Sequence, residues 1–91
     1  MTSIDLNKLK KESVKLPILV RIGKTGITDS LIEEINKHLK KRKLIKIKFL
    51  KSSLIDSNVD ELALLISKKT ESKLVLVIGM SATFYKDTKK N

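Results

Sequence analysis

Hydrophobic residues recur along the chain with two periods, one typical of helices and the other typical of strands. Residues 3–15 show the helical period, with Leu6 and Leu9 on an apolar face. Pro17 ends this helix, because the residue before a proline is disfavoured in the α region. Residues 18–22 alternate instead between two faces, which predicts a short strand.

The next segment predicts a second helix and a second strand. Thr28 is the expected N-cap, and apolar residues then recur at helical spacing up to Leu39. The helix ends in the basic run of residues 40–43, whose charges suit the negative end of the helix dipole. Residues 44–50 alternate strictly, which predicts a strand with one solvent-facing side.

The last third of the sequence predicts one more helix and a pair of strands. Asn58 and Glu61 form an N-x-x-E variant of the capping box, which opens the third helix. Residues 74–78 are apolar on both faces, which we interpret as a central strand covered from both sides. A turn at residues 79–81 then leads into a last strand, residues 82–86, at an antiparallel edge.

The resulting order is α-β-α-β-α-β-β, which predicts an α/β fold with a four-stranded mixed sheet. Helical crossovers favour parallel pairing of the strands that they join. We expect the second and third helices to pack on one face of the sheet and the first helix on the other. The 91 residues are predicted to form one domain, with a core at about residues 4–86 and a short basic tail, residues 87–91.

The net charge narrows the possible partners of the chain more than its length does. The chain has 20 Lys and Arg against 10 Asp and Glu, a formal net charge of +10, which attracts polyanions. Nucleic acid is the leading partner class, and an anionic membrane is second. With no cysteine and one histidine, no metal or other cofactor is expected. The longest apolar run, residues 74–78, is far below the ~20 residues of a spanning helix, so we expect a cytoplasmic protein.

A glycine-flanked loop lies between the first strand and the second helix. It consists of Gly23, Lys24, Thr25 and Gly26. Glycines allow the backbone to turn tightly and to approach a sugar–phosphate chain, and the following helix N-terminus favours anions. By spacing alone the motif is weak, and a purely structural turn is the commoner explanation of such a loop. A nucleotide-binding P-loop is disfavoured, because its first glycine would fall where Ile18 stands.

Further cations are candidates for phosphate contacts if they share a face with this loop. In the absence of such convergence they are ordinary solvated surface charges. The candidates are Arg21, Lys8, Lys11, Lys15, Lys40, Lys41, Arg42, Lys43 and Lys86.

Catalysis finds little support in the sequence. The carboxylates are scattered, and His38 near a helix C-terminus is most simply a solvated side chain. No serine lies in a nucleophile motif, so no catalytic residue is assigned and we expect a non-enzymatic protein with no small-molecule substrate. Aromatics are limited to Phe49, Phe84 and Tyr85, too few for a module that stacks several bases. Recognition should therefore depend on backbone and shape.

These segments together resemble the CRM domain family (chloroplast RNA splicing and ribosome maturation), whose stand-alone bacterial members are called YhbY-like. The resemblance covers about residues 4–86 and is carried by residues 16–28, 44–48, 77–79 and 84–86. It implies a fold like the C-terminal domain of bacterial translation initiation factor three, an RNA-binding surface around the GXXG loop, and no enzymatic activity. It also implies association with ribosomal RNA or precursor ribosomal particles.

Two other function classes remain open from the residues alone. A double-stranded DNA-binding architectural protein would have similar size and charge. A protein that binds acidic partners or a membrane surface would use the first helix as a basic amphipathic anchor, although its apolar face is thin. The oligomeric state is left open by the sequence.

Overall fold

Helices and strands follow one another in the predicted order, and the α/β fold class is confirmed. The computed structural model describes residues 6–55 and 57–86. Residues 3–5 of the first predicted helix and the predicted tail, residues 87–91, lie outside the described residues. The elements are α1 (Leu6–Lys15), β1 (Ile18–Ile22), α2 (Asp29–Arg42), β2 (Leu44–Phe49), a short 3-10 helix (Lys51–Ser53), α3 (Val59–Thr70), β3 (Lys73–Ile78) and β4 (Ser81–Tyr85).

Both central helices begin at the N-caps that the sequence predicts. The Thr28 hydroxyl accepts a hydrogen bond from the Leu31 amide at 3.1 Å, which satisfies one unpaired donor of the first turn of α2. At α3 the capping box is complete, because the Glu61 amide donates to the Asn58 side chain and the Asn58 amide donates to the Glu61 carboxylate. These caps fix where each helix leaves the preceding loop.

The four strands form one mixed sheet in the order β1-β2-β4-β3. β1 and β2 are parallel, whereas β4 is antiparallel to both of its neighbours, β2 and β3. The carboxyl ends of β1 and β2 therefore lie at the same end as the β3–β4 turn. We call this the loop end: residues 23–26, the 3-10 helix Lys51–Ser53 and the turn at residues 79–80.

The sequence-based placement of the last two strands was wrong. β3 is at the edge of the sheet and β4 lies between β2 and β3, whereas β3 was expected in the centre and β4 at the edge. The apolar character of β3 comes from cover above and below it. Leu74 and Val77 pack against the main core, and Val75 is also buried. Such cover does not require a hydrogen-bonded strand on each side.

The main core lies between the sheet and the pair α2–α3. Ile35 and Leu39 from α2 and Ala63 and Ile66 from α3 are buried against one face of the strands. On the sheet side this core is built by every second strand residue, as alternation requires. Its members from the strands are Val20, Ile22, Ile45, Ile47, Phe49, Ala82 and Phe84.

α1 covers the other face of the sheet, as predicted. Thr83 alternates with the core residues Ala82 and Phe84, so it points away from α2 and α3, yet it is only 2% exposed. α1 contacts β2 and β3 on this side, and its Ser13 is likewise buried. The Ser13 hydroxyl donates to the Lys10 carbonyl at 2.9 Å, so its polar group is satisfied. Within the described ranges, none of the helices has the length and apolar character needed to cross a membrane.

Candidate nucleic-acid interface

The loop of residues 23–26 forms a tight turn that is open to solvent. The Gly26 amide donates to the Gly23 carbonyl at 2.9 Å, which places Lys24 and Thr25 at the exposed tip. Gly26 has a φ of +71°, a conformation that favours glycine, and a Cβ built there would meet no atom within 4 Å. The outer side of this turn is therefore available to a ligand.

Gly23 has a different role from Gly26. Its φ is not in the positive region, and a Cβ at this position would lie 3.5 Å from Leu50 Cδ1 and 3.6 Å from Ser52 Oγ, which are ordinary contact distances. The Leu50 amide also donates to the Ile22 carbonyl at 2.8 Å. Of the two glycines that were expected to allow a tight turn, only Gly26 therefore has a positive φ. Gly23 instead packs on the segment that follows β2.

A row of cations crosses the sheet beside this turn. In the strand register Arg21 pairs with Lys48, and Lys48 pairs with Ser81, so the three side chains lie on the α1 side of the sheet. In the next row Ile18 pairs with Lys46. A shallow groove in this surface is lined by Ile18, Lys46, Lys48, Met80 and Ser81. We call Arg21, Lys46 and Lys48 the strand cations.

Sequence reasoning placed Lys46 and Lys48 on a solvent-facing side of β2 but did not include them in the site. The alternation of residues along β1 and β2 could have predicted this position. Once the two strands are paired in parallel, Arg21 and Lys48 lie on the same face of the sheet. Lys51 was also missed. It lies in the 3-10 helix directly after β2 and is exposed at the loop end.

The predicted set of phosphate-binding residues is divided between two ends of the molecule. α2 starts at the loop end and runs back along the sheet, so its basic C-terminus, residues 40–43, lies at the opposite end, roughly 20 Å away for a 14-residue helix. Lys86 is at that far end as well, because its amide donates to the Lys43 carbonyl at 2.8 Å. These residues do not converge with the turn, and their contact with RNA stays a prediction.

Further cations that were not among the predicted site residues also lie at this far end. α3 runs in the same direction as α2, so its last turn lies there, together with the start of β3. We call this region the lysine end: Lys40, Lys41, Arg42, Lys43, Lys68, Lys69, Lys73 and Lys86.

Lys86 has a structural contact of its own. Its Nζ atom donates to the Thr70 carbonyl at 2.8 Å, which satisfies an acceptor at the C-terminus of α3. The predicted α1 stripe, Lys8, Lys11 and Lys15, is exposed on the helix that covers the other face of the sheet. The three lysines therefore border the same side of the molecule as the strand cations.

The described residues offer little catalytic or metal-binding chemistry. His38 Nε2 lies 3.8 Å from Glu34 Oε2, one helical turn away on the surface of α2. Across residues 6–55 and 57–86, no group of three His, Cys, Asp or Glu side chains is placed to hold a metal ion. The site is defined by a glycine turn, helix N-termini and amino and guanidinium groups, which are groups that bind phosphate.

This geometry defines a class of protein. It is a small α/β domain with helices on both faces of a mixed sheet and with an open glycine turn after its first strand. The chain belongs to the CRS1/YhbY (CRM) domain family, whose model matches residues 1–86. The resemblance deduced from the sequence is therefore confirmed.

Relatives from bacteria and archaea support this assignment. The chain is 32% identical over 83 residues to the "Probable RNA-binding protein YqeI" of Bacillus subtilis, covering 91% of this chain and 84% of that protein. It is 31% identical over 78 residues to the "Probable RNA-binding protein MJ0652" of Methanocaldococcus jannaschii, covering 86% of this chain and 58% of that protein.

A solved structure has the same fold. The solution structure of SAV1595 from Staphylococcus aureus, described as "a putative RNA binding protein", superimposes with a TM-score of 0.76 at 34% identity. The superposition covers 94% of this chain and 88% of SAV1595. The names of all three relatives describe RNA-binding proteins.

Proposed function

We propose that the chain is an RNA-binding protein whose loop end holds the sugar–phosphate backbone. The observation that carries the proposal is the solvent-open turn at Gly26, which lies beside the strand cations on the same end of the sheet. The names of the relatives from Bacillus and Methanocaldococcus support RNA as the ligand.

The turn, the helix and the strand cations make different contributions to the binding of a phosphate chain. Lys24 at the tip of the turn supplies an exposed positive charge, and the first turn of α2 adds the positive end of the helix dipole. Arg21 is suited to a bidentate contact with a second phosphate. Asp29 in the first turn of α2 opposes an anion at that helix end, so we assign the stronger contacts to Lys24 and the strand cations.

Recognition at the loop end should depend on the shape of the RNA backbone. Phe49 and Phe84 are completely buried, so neither ring can stack on a base. We propose structured ribosomal RNA, free or in ribosomal particles during their assembly, as the ligand, and the cytoplasm as the place of action. The resemblance to ribosome-associated YhbY-like proteins supports this choice.

The proposal is tested by equilibrium binding to structured RNA and to duplex DNA at equal phosphate concentration and fixed salt. Neutralising about six phosphates predicts a log–log salt slope on the order of -4 to -5 for either ligand, so affinity must be compared at one salt concentration. We expect a preference for RNA. A preference for duplex DNA would instead favour an architectural DNA-binding protein.

A matched pair of charge reversals locates the contact. Lys24→Glu should lower RNA affinity about 10-fold, because it replaces a phosphate contact by a repulsion. Lys37→Glu makes the same charge change on an exposed position of α2, away from the turn, and should lower affinity no more than about 2-fold. Equal effects of the two substitutions would reject the loop end as the site.

Co-sedimentation with ribosomal particles tests the proposed partner. The double variant Arg21→Glu/Lys24→Glu should no longer co-sediment, while its thermal unfolding should be nearly unchanged, because both side chains are exposed. Retained co-sedimentation of this variant would contradict the proposal.

A further inference from the structure

α3 is buried on one side and carries two exposed leucines on the opposite side. Ala63 and Ile66 face the core, whereas Leu64 is 53% exposed and Leu65 is 40% exposed. Exposed residues at i, i+3, i+4 and i+7 lie on one face of a helix. We call this face the α3 stripe: Glu61, Leu64, Leu65 and Lys68.

The α3 stripe is self-complementary. Its two leucines lie at the middle of the helix, which spans Val59–Thr70, with an acid on the N-terminal side and a base on the C-terminal side. Reversing the direction of the helix exchanges the acidic end with the basic end and leaves the apolar centre in place. A single exposed leucine is ordinary on a protein surface. Two adjacent leucines between opposite charges form a surface that fits a second copy of itself.

Two copies of α3 satisfy this pattern when they lie face to face and antiparallel. A two-fold axis between residues 64 and 65 then places the leucines of one copy against those of the other. It also places Glu61 of each copy opposite Lys68 of the second copy, which gives two equivalent ion pairs. The antiparallel orientation suits the helix dipoles as well, because each positive end lies beside a negative end.

α2 extends this division of charge across the helix layer. It runs in the same direction as α3, so both helices begin at the loop end. Its exposed acids all precede its exposed bases: Asp29, Glu33 and Glu34 come before Lys37 and residues 40–42. Helix dipoles account for charges in the first and last turns, but Glu34 and Lys37 lie near the middle of the helix. The two-fold arrangement turns the acidic half of each layer toward the basic half of the other, with Glu71 at the C-cap of α3 as the exception.

We propose that the α3 stripe is a self-association surface through which two copies of this chain form an antiparallel dimer. The proposal does not depend on RNA binding, because it rests on the charges and exposed leucines of the helix layer. The strand cations lie on the α1 side of the sheet and stay uncovered in such a dimer. Together with the proposed function, this arrangement presents two RNA-binding surfaces whose loop ends point in opposite directions.

The dimer should be weak. Two leucines per copy with a charged rim form an interface smaller than the roughly 1,200 Å² at which stable protein–protein interfaces begin. Each copy also has a formal net charge of +10, which opposes association. We therefore expect a dissociation constant on the order of 100 μM to 1 mM. RNA binding at submicromolar protein is then measured on the monomer.

Sedimentation equilibrium of the full chain, from about 10 μM to about 1 mM, tests self-association. We expect a monomer–dimer equilibrium that Leu64→Lys weakens at least about 10-fold, because it inserts a charge into the apolar centre of the interface. Val14→Lys is the matched control. Val14 is 63% exposed on α1, away from the helix layer, so the same added charge should change the dissociation constant no more than about 2-fold. A chain that stays monomeric at about 1 mM, or equal effects of the two substitutions, would overturn the proposal.

Exchanged charges test the pairing of Glu61 with Lys68. Glu61→Lys and Lys68→Glu each place like charges opposite one another, so neither variant should self-associate at about 1 mM. In an equimolar mixture both pairs are again of opposite sign, and a heterodimer should form with the affinity of the unsubstituted chain. Glu61→Lys also breaks the capping box with Asn58, but recovery in the mixture is read separately from that loss. A mixture that stays monomeric, or single variants that still dimerise, would reject the antiparallel arrangement.

Disulfide formation tests the position of the two-fold axis, because the chain has no cysteine of its own. Leu65→Cys lies beside the axis, so the two sulfurs of a dimer can bond. Lys68→Cys lies on the same stripe but about 10 Å along the helix from its counterpart, too far for a disulfide. We expect mild oxidation at about 0.5 mM protein to crosslink the first variant at least about 10-fold faster than the second. Equal rates of crosslinking would mean that the copies collide at random, and they would overturn the proposal.

Discussion

The loop end and the lysine end attract anions for different physical reasons. At the loop end the N-termini of α2 and α3 contribute positive dipole ends, and few cations are needed to make the region attractive to phosphate. At the lysine end the same two helices present their negative C-termini, so part of the positive charge there offsets the helix dipoles. The number of lysines in a region is therefore a poor guide to the strength of its phosphate site.

The two ends also differ in their backbone. The loop end uses glycine where φ is positive, at Gly26 and Gly79. At the lysine end Lys43 and Glu71 adopt positive φ values of 63° and 55° at the helix C-caps, where glycine is usual. The first region is thus relaxed and open, whereas the second contains residues in unfavourable conformations. The following substitutions test this difference between the two ends, in order of decreasing expected effect.

Gly26→Val should have the largest effect, and it should act on the loop end alone. A β-branched side chain at a φ of +71° costs about 2 kcal/mol or forces the turn to rearrange. We expect RNA affinity to fall on the order of 10- to 100-fold in filter binding, with a lower free energy of unfolding in urea.

Gly23→Ala is the matched control for that substitution. Its new methyl group would make ordinary contacts with Leu50 and Ser52 and would point away from the outer side of the turn. Stability and RNA affinity should stay close to those of the unsubstituted chain. If Gly23→Ala were as damaging as Gly26→Val, the ligand would have to approach from the side of Leu50.

Lys86→Ala should destabilise the fold through the lysine end. It removes the charge-assisted hydrogen bond from Nζ to the Thr70 carbonyl, which is worth about 1.5 kcal/mol in a partly buried position. Thermal unfolding should therefore move down by several degrees. The control is Lys69→Ala, an exposed lysine of the same end, and its unfolding should be nearly unchanged. Equal stability of the two variants would mean that the bond to Thr70 contributes nothing.

Glu71→Gly should have an opposite effect of somewhat smaller size. Glycine relieves the left-handed conformation at the C-cap of α3, and we expect a gain of about 1 kcal/mol in the free energy of unfolding. Glu71→Gln removes the charge but keeps the conformational cost, so it separates the two contributions. A gain for the glutamine variant as large as for glycine would assign the effect to the carboxylate.

Lys24→Ala should have the smallest effect, visible mainly in the salt dependence of RNA binding. Removal of one phosphate contact should reduce the log–log salt slope by about 1 and the affinity at moderate salt by a few-fold. The slope is measured by titrating RNA binding across a series of salt concentrations. The same substitution at Lys37 should leave the slope unchanged, and a parallel reduction there would indicate nonspecific charge effects.

Most of the local structure could be predicted from the sequence, because it depends on neighbouring residues. Thr28 and the pair Asn58–Glu61 cap their helices as expected, since capping is determined within one turn. Strand order was not predicted correctly. The apolar run of β3 indicates that helices cover both faces of this strand. It does not indicate whether another strand pairs with β3 on each side in the plane of the sheet.

The candidate site was predicted in part for a related reason. The Gly23–Gly26 loop is a local feature and lies where the sequence places it, between β1 and α2. Grouping it with residues 40–43 ignored the direction of α2, because a helix that joins two parallel strands must return to their starting end. The same rule would have separated these cations from the turn and directed attention to Lys48, which needs only the β1–β2 register.

The junction at Phe49 and Leu50 has a consequence for how the protein responds to a ligand. These consecutive amides donate to two different turns: Phe49 to the Met80 carbonyl at 2.7 Å, and Leu50 to the Ile22 carbonyl at 2.8 Å. The hairpin tip and the base of the glycine loop are thereby tied to one dipeptide. Hydrogen exchange of the Phe49 and Leu50 amides should therefore slow together when a ligand binds to either turn. The NMR signals of these two adjacent residues would then report binding at either turn of the loop end.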